Sequence, residues 1–182
     1  MEITIRIMRI SNICASLAVL AAFVTSTARA ELKVGDKAPE FTLKASDGKT
    51  YKLADFAGKK AVVIAWFPKA FTGGCTAECK SLRATSEGLK PTGVAYFTAS
   101  CDDADTNGKF AQSLNLDYPI LSDPVKDTAK AYGVVHEGRA NPERWTFYIG
   151  KDGVIKEIDK KIRTADAGPD MIGKIKSLGL GK

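Results

Sequence analysis

The sequence predicts an α/β domain in which helices cover a central mixed sheet. The continuous apolar run at residues 61–67 is typical of a strand that is buried on both faces. A helix-like segment at 76–89 and a second apolar strand at 94–100 follow it, which makes a βαβ unit. Because such crossovers are right-handed, we expect the two strands to lie parallel and adjacent in the sheet.

The other elements surround this unit. Short alternating runs at 41–44 and 50–53 flank turn residues at 46–48, which predicts a β-hairpin at the start of the domain. A glycine-bounded turn at 150–153 predicts a second hairpin near the end. The remaining expected elements, in chain order, are a helix at 106–114, a short helix from 124 to about 132, hairpin strands at 145–149 and 154–158, and a final helix at 171–178.

The first thirty residues predict a secretory signal peptide. Basic residues precede a mostly apolar stretch at 10–24, and the segment ends in Ala28-Arg29-Ala30, a small-residue cleavage pattern. The stretch is shorter than the roughly 20 apolar residues that a membrane-spanning helix needs. We therefore expect cleavage after Ala30, a single domain at 31–182, and a periplasmic or extracellular protein without membrane attachment. A retained N-terminal anchor is the alternative.

Composition narrows the classes of function. The 182-residue chain has 27 Lys and Arg against 21 Asp and Glu, and a formal net charge of +6. The basic residues are scattered, without the dense run that marks a nucleic-acid surface, so we expect no nucleic-acid binding. The single histidine, His136, excludes a metal site in which one chain supplies several histidine ligands. Four cysteines are too few for a disulfide scaffold of this size.

The cysteines indicate redox chemistry. Removal of the signal would leave Cys75, Cys79 and Cys101, an odd number in an oxidising compartment, so at least one thiol is free or exchanging. Cys75 and Cys101 follow the two parallel strands. The carboxyl ends of such strands meet at the sheet edge where ligands bind.

Cys75 has the most reactive predicted environment. It follows Gly73-Gly74 where a helix is expected to begin, and the backbone N–H groups and dipole of a helix N-terminus favour the reactive thiolate. A tight turn could bring the hydroxyl of Thr72 back to the sulfur. The alternative is a buried, inert cysteine in a helix cap.

The segment around Cys75 resembles the signature of a known family. Pro68, Thr72 and Cys75 reproduce the PxxxTxxC spacing of peroxiredoxins, and the Q-type (bacterioferritin-comigratory) subgroup is the most similar. The resemblance covers nearly the whole domain and implies a thioredoxin-like fold, with a central mixed β-sheet flanked by helices and an N-terminal β-hairpin. Further matches follow in family order: Lys37–Leu43 (KAPEFTL), Cys75–Glu78 (CTAE), Leu121–Asp123 (LSD), Tyr132–Val134 (YGV) and Arg144–Phe147 (RWTF).

This resemblance implies an activity and a role for each residue. The Cys75 thiolate would reduce hydrogen peroxide or an organic hydroperoxide and become a sulfenic acid. Thr72 and Arg144 would hydrogen-bond the sulfur and the peroxide, and Pro68 would shield the thiolate. A fixed positive charge also stabilises a nearby thiolate and the charge that develops on the peroxide. No metal, haem or flavin cofactor is implied, and His136 is expected to be a surface residue.

A second thiol is expected to condense with the sulfenic acid, and a thioredoxin-like protein to reduce the disulfide. The Q-type pattern often places that cysteine five residues after the first, where this chain has Lys80, whereas Cys79 lies four residues on. Residues four apart on a helix have Cβ atoms about 5–6 Å apart. A disulfide needs about 3.5–4.5 Å, so the first helical turn must loosen if Cys79 resolves. Cys101 and an outside thiol are the alternatives.

Two other functions fit the same residues. An exported thiol–disulfide oxidoreductase of thioredoxin type would act on protein disulfides, but such enzymes usually carry C-x-x-C, and three residues separate Cys75 from Cys79. A non-catalytic redox-sensing module would show no enhanced reactivity at Cys75. We expect a monomer or a simple homodimer in each case.

Overall fold

The domain is built on one sheet with helices on both of its faces. A computed structural model describes residues 31–181, and the predicted signal peptide lies outside them. The strands are β1 (Thr42–Ala45), β2 (Thr50–Lys52), β3 (Val62–Trp66), β4 (Ala95–Ser100), β5 (Ile120–Ser122), β6 (Thr146–Ile149) and β7 (Ile155–Asp159). The helices are α1 (Gly73–Ala84), α2 (Ser86–Leu89), α3 (Ala104–Ser113), α4 (Asp127–Ala131) and α5 (Ala167–Ser177), with 3₁₀ turns at Leu53–Phe56 and Lys90–Thr92.

The sheet is mixed, as the sequence predicts. Its seven strands lie in the order β2-β1-β5-β4-β3-β6-β7. The three central strands, β5, β4 and β3, are parallel, and the flanking hairpins add antiparallel strands on both sides. The predicted class, with its N-terminal hairpin and flanking helices, is therefore confirmed. Within residues 31–181, no helix is long and apolar enough to cross a membrane.

The predicted βαβ unit lies at the centre of the sheet. All five residues of β3 are buried, and the strand pairs in parallel with β4, with Ile64 opposite Phe97. The third parallel strand, β5, is not among the sequence-predicted elements. It has only three residues, too few to show a period of two, and Pro119 and Pro124 lie close to its two ends.

Alternating side chains build a separate core on each face of the sheet. On one side, Ile64 and Trp66 pack with Phe97 and with residues of the first hairpin and α4; we call this side the Trp66 face. On the other side, Val63 packs against α1 and α5 in a cluster that includes Ile175; we call this side the α1 face. The chain that leaves β3 therefore returns as α1 on the side of the sheet opposite to Trp66.

The helices differ from the predicted ones mainly at their ends. Helix α1 begins at Gly73, three residues earlier than predicted, since glycine is unfavourable inside a helix but tolerated where one starts. It ends before Thr85, whose hydroxyl donates to the carbonyl of Ser81 at 2.9 Å, so the predicted helix to residue 89 is divided in two. Helix α5 begins at Ala167 because Pro169 lies in its first turn, where proline is accepted.

Candidate active site

Cys75 is the third residue of α1 and follows the loop that leaves β3. The first turn of a helix presents unpaired N–H groups and the positive end of the dipole, which favour a thiolate over a thiol. The Cys75 side chain is fully buried. It packs on the α1 face in an apolar cluster with Phe67, Ala70, Cys79, Phe110 and Ile120.

A cation contacts the Cys75 sulfur. Arg144 lies two residues before β6, which pairs with β3, so the sheet brings Arg144 to the end of β3 from which the loop leads to Cys75. Its Nη2 donates to Cys75 Sγ at 3.2 Å. Gly74 makes room for this contact, because a Cβ at that position would lie 3.3 Å from the same nitrogen. The structure thus brings Arg144 and Cys75 together.

A buried carboxylate binds the other side of the guanidinium. Glu78 lies one turn after Cys75 on α1, is 1% exposed, and pairs through Oε2 with Nη1 of Arg144. Burial raises the pKa of Glu78 to about 7, against the opposing charge of Arg144. Burial disfavours the charge on Arg144, but attraction from Glu78 and Cys75 outweighs it, so the pKa of Arg144 is raised. The guanidinium is therefore both charged and fixed in orientation.

Sequence reasoning gave Glu78 no role. It falls within the CTAE match, and its spacing of three residues from Cys75 places the two side chains on one helix surface. That spacing is the signal that could have singled it out. Within residues 31–181 the second carboxylate oxygen, Oε1, is buried without a hydrogen-bond partner.

Thr72 and Pro68 lie in the loop before α1, at residues 68–72, which we call the active-site loop. The Thr72 hydroxyl donates to the carbonyl of Lys69 at 2.9 Å. A hydroxyl has one proton, so in this arrangement Thr72 does not donate to the Cys75 sulfur as the sequence suggested, and its oxygen is left as an acceptor. Pro68 is half-buried at the start of the loop.

The other two cysteines occupy different surroundings. Cys79 is fully buried in the same cluster as Cys75, and burial raises the pKa of its thiol to about 12. The Tyr118 hydroxyl donates to the backbone carbonyl of Cys79 at 3.0 Å. Cys101 is half-buried and packs on the Trp66 face, where burial raises the pKa of its thiol to about 11. All three cysteines are free within the described part of the chain.

His136 lies on the surface, as predicted. Its side chain is about half exposed, its Nε2 is 3.8 Å from Glu143 Oε1, and its ring lies 6.1 Å from that of Trp145. None of these contacts involves Cys75. His136 is therefore not among the residues that contact Cys75.

A buried cysteine that lies in the first turn of a helix and contacts a fixed arginine can attack an electrophile. The arginine can stabilise the charge on the displaced oxygen. This site, on a mixed sheet with parallel central strands, defines a thiol-dependent oxidoreductase.

Comparison with known proteins specifies the class further. Residues 34–158 match the AhpC/TSA family. The chain is 33% identical over 150 residues to the putative peroxiredoxin bcp of Coxiella burnetii, a match that covers 79% of this chain and 99% of that protein. It is 33% identical over 141 residues to peroxiredoxin Bcp of Escherichia coli, covering 74% and 90%. The crystal structure of peroxidoxin BcpB from Mycobacterium tuberculosis has a TM-score of 0.73 at 27% identity, covering 81% and 98%.

The chain therefore belongs to the AhpC/TSA family. Its fold is thioredoxin-like, and it is an enzyme, a thiol-dependent peroxidase whose oxidising substrate is a peroxide. Of the two alternative functions, neither the thiol–disulfide oxidoreductase nor the non-catalytic sensor is favoured by these relatives.

Proposed function

We propose that Cys75 is the nucleophile of this peroxidase. The observation that carries the proposal is the 3.2 Å hydrogen bond from Arg144 Nη2 to Cys75 Sγ in the first turn of α1. The charge of Arg144 and the helix terminus both stabilise the thiolate, which is the form of cysteine that attacks an O–O bond.

Three neighbouring residues support this chemistry. Arg144 stabilises the negative charge that develops on the leaving oxygen. Thr72 accepts the O–H of the hydroperoxide, a role supported by the Thr72 proton already being donated to Lys69. Pro68, half-buried at the start of the active-site loop, shields the thiolate from other reactants.

The reaction balances in two chemical steps. The thiolate sulfur attacks one peroxide oxygen, the O–O bond breaks, and the displaced oxygen takes a proton and leaves as water or an alcohol. The sulfur is oxidised to a sulfenic acid. A second thiol then attacks the sulfenic sulfur, so that an S–S bond forms and water leaves.

We assign the second thiol to Cys79. It lies in the same buried cluster as Cys75, one helical turn away, whereas Cys101 packs on the opposite face of the sheet. Helical residues at this spacing have Cβ atoms about 5–6 Å apart, which exceeds the roughly 3.5–4.5 Å of a disulfide. The first turn of α1 must therefore open before the bond closes. Cys101 and an outside thiol are the competing assignments.

A thioredoxin-like dithiol protein would return the two electrons, restoring both thiols. The basic start, apolar stretch and Ala28-Arg29-Ala30 support export and cleavage after Ala30, and an exported domain would act in the periplasm or outside the cell. The mass of protein recovered from the periplasm tests export and cleavage; a chain that still contains residues 1–30 contradicts them.

Light scattering tests the expected monomer or simple homodimer, and a larger assembly contradicts it.

The central test is peroxide consumption by the reduced domain in rapid-mixing experiments, with Cys75→Ser compared against Cys101→Ser as a matched control. We expect Cys75→Ser to abolish the fast reaction and Cys101→Ser to retain it. Unchanged consumption by Cys75→Ser would overturn the assignment. For the second thiol, Cys79→Ser should leave the sulfenic acid without an internal partner, detected as a dimedone adduct. Disulfide formation that survives in Cys79→Ser but is lost in Cys101→Ser would assign it to Cys101.

A further inference from the structure

A carboxylate at the end of β4 binds the backbone of the active-site loop. Oδ2 of Asp102 accepts a hydrogen bond from the N–H of Ala70 at 2.8 Å. Ala70 is 5% exposed and belongs to the buried cluster that contains Cys75. The contact joins residues 32 positions apart, so it fixes the loop to a different strand of the sheet.

Behind Asp102 lies a buried polar network that orients it. Asn107 donates its amide hydrogens to the hydroxyls of Ser100, at 3.0 Å, and Ser122, at 2.9 Å. The Ser100 hydroxyl, which thereby accepts, has one proton, and Asp102 Oδ2 lies 3.0 Å away to receive it. Ser100, Asn107 and Ser122 are all buried. Asp102 Oδ2 therefore accepts both from Ser100, at the end of β4, and from Ala70 in the loop, while Asn107 of α3 fixes Ser100 in turn.

The active-site loop has few other attachments to the neighbouring elements. The β3–β4 ladder ends where the N–H of Phe67 donates to the carbonyl of Ala99 at 2.9 Å. After Ala70, Phe71 adopts a positive φ of 60°, which is unfavourable for a residue with a side chain. Its ring is 57% exposed and rests on Phe110, with centroids 5.0 Å apart. Of the hydrogen bonds that join this part of the chain to another strand, the Ala70–Asp102 bond is thus the one nearest to the start of α1.

We propose that Asp102 is a positioning residue that holds the active-site loop closed around Cys75 and limits the release of the oxidised cysteine to its partner thiol. The inference rests on the proposed function of Cys75. Opening the first turn of α1 moves the chain just after Ala70, and Ala70 shares a buried cluster with Cys75. Displacement of the loop therefore breaks the bond to Asp102, which is made only in the closed arrangement.

The two steps of the reaction respond differently to loss of this bond. A hydrogen bond to a charged acceptor contributes enough to shift an equilibrium by about tenfold. If the closed arrangement is populated at about 99%, a tenfold shift leaves it at about 90%, so the peroxide step falls less than about twofold. The open population rises about tenfold, and disulfide formation accelerates by about the same factor.

The test compares Asp102→Ala with Asp103→Ala. Asp103 caps α3 by accepting the N–H of Thr106 at 2.7 Å. Its truncation therefore removes a hydrogen bond of the adjacent aspartate and leaves the bond between Asp102 and the active-site loop in place. In Asp102→Ala we expect disulfide formation and the hydrogen exchange of the Ala70 amide to accelerate about tenfold. In Asp103→Ala we expect both to stay at the wild-type values. Asp102→Asn keeps an acceptor for Ala70 and should restore most of the wild-type behaviour, which also serves if Asp102→Ala folds poorly.

Wild-type rates of Ala70 exchange and disulfide formation in Asp102→Ala would overturn the inference. Equal acceleration in Asp103→Ala would overturn it too, because the effect would then reflect general destabilisation. Disulfide formation driven by diamide, which takes two electrons and two protons from the dithiol, keeps this test separate from the peroxidase assignment. Absence of a wild-type peroxide reaction defeats that assignment, whereas an accelerated diamide reaction in Asp102→Ala still supports the role of Asp102.

Discussion

Two neighbouring strands end at the same edge of the sheet, and a cysteine follows each of them. Cys75, after β3, lies on the α1 face in the first turn of a helix, with Arg144 Nη2 at 3.2 Å from its sulfur. Cys101, directly after β4, lies on the Trp66 face, and burial together with the charge of Asp123 raises its pKa to about 11. A place after the carboxyl end of a parallel strand therefore does not by itself give a cysteine a cationic hydrogen-bond donor. The two cysteines differ in the face on which they lie and in their charged neighbours.

The two faces follow from how the chain leaves each strand. Cys101 continues the alternation of Phe97 and Ala99, so its side chain joins the core on the Trp66 face. After β3 the chain makes a loop and enters α1, which packs on the other face and takes Cys75 with it. The acidic residue after Cys101, Asp102, instead contacts the loop that leads to Cys75. The chain after one strand thus leads to the candidate nucleophile, and the chain after the other supplies a carboxylate that binds the loop before it.

The largest expected effect comes from removing the cation that distinguishes the two cysteines. Arg144→Met deletes the donor to the Cys75 sulfur, and loss of one such charge-stabilising donor typically slows a reaction by about 10²–10³-fold. The second-order rate constant with hydrogen peroxide, measured by rapid mixing, should fall by that factor. Arg139→Met is the matched control, because Arg139 is exposed and pairs with Glu143 on the surface. Similar rates in the two variants would contradict the role of Arg144.

The next effect concerns Cys101, where burial and the charge of Asp123 outweigh the attraction of Lys126 and raise the pKa of the thiol. Because the pKa of Cys101 is raised to about 11, its thiolate fraction should rise about tenfold per pH unit between pH 7 and 9. Iodoacetamide labelling of Cys101, followed in a Cys75→Ser/Cys79→Ser double variant, should therefore accelerate about a hundredfold over this interval. A plateau below pH 9 would show that Cys101 is activated after all. Labelling of Cys75 in a Cys79→Ser/Cys101→Ser variant should be far faster at pH 7.

A third effect comes from Glu78, the buried acid that pairs with Arg144 beside Cys75. Burial raises the pKa of Glu78 from 4.5 to about 7, so the folded state binds this proton more tightly than the unfolded state. The contribution of Glu78 to the unfolding free energy therefore falls as the pH rises from about 4.5 to about 7, by roughly 3 kcal/mol. Glu78→Gln should remove that slope in urea unfolding, whereas Glu137→Gln, at an exposed loop position, should keep it. Parallel pH dependence in wild type and Glu78→Gln would contradict this assignment.

Local patterns predicted the parts of the fold that have strong local signals. The apolar run at 61–67 is long and buried on both faces, so β3 and its parallel neighbour β4 followed from the residues. The turn at 46–48 fixed the first hairpin in the same way. Strand β5 was not predicted, because three residues between prolines show no periodicity and their pairing with β4 depends on tertiary structure. Residues 127–131 form α4 later than Pro124 suggests, since Lys126 adopts a left-handed φ of 65°.

The candidate site was predictable where a motif carried it. The spacing of Pro68, Thr72 and Cys75 and the RWTF segment identified four of its residues. Single-residue reasoning could not show that the Thr72 proton goes to Lys69, since that depends on a loop conformation. Nor could it find Asp102, whose partner is the backbone N–H of Ala70 in the loop that follows another strand. Contacts of this kind are fixed by the assembled sheet and leave no periodic trace in the sequence.

The smallest effect tests how closely Arg144 must approach. A methyl group at Gly74 would lie 3.3 Å from Arg144 Nη2, whereas one at Gly73 meets nothing within 4 Å. Both Gly→Ala changes favour the helix, by up to about 1 kcal/mol each, but the close contact with Arg144 opposes this gain in Gly74→Ala and not in Gly73→Ala. Gly74→Ala alone displaces the guanidinium by a few tenths of an ångström and lengthens its contact with Cys75. We expect its peroxide rate constant to fall about three- to tenfold, a loss of roughly 1 kcal/mol, while Gly73→Ala reacts as the wild type does. Equal rates in the two variants would show that the arginine tolerates the displacement and that its charge alone, rather than its hydrogen bond to the sulfur, distinguishes Cys75 from Cys101.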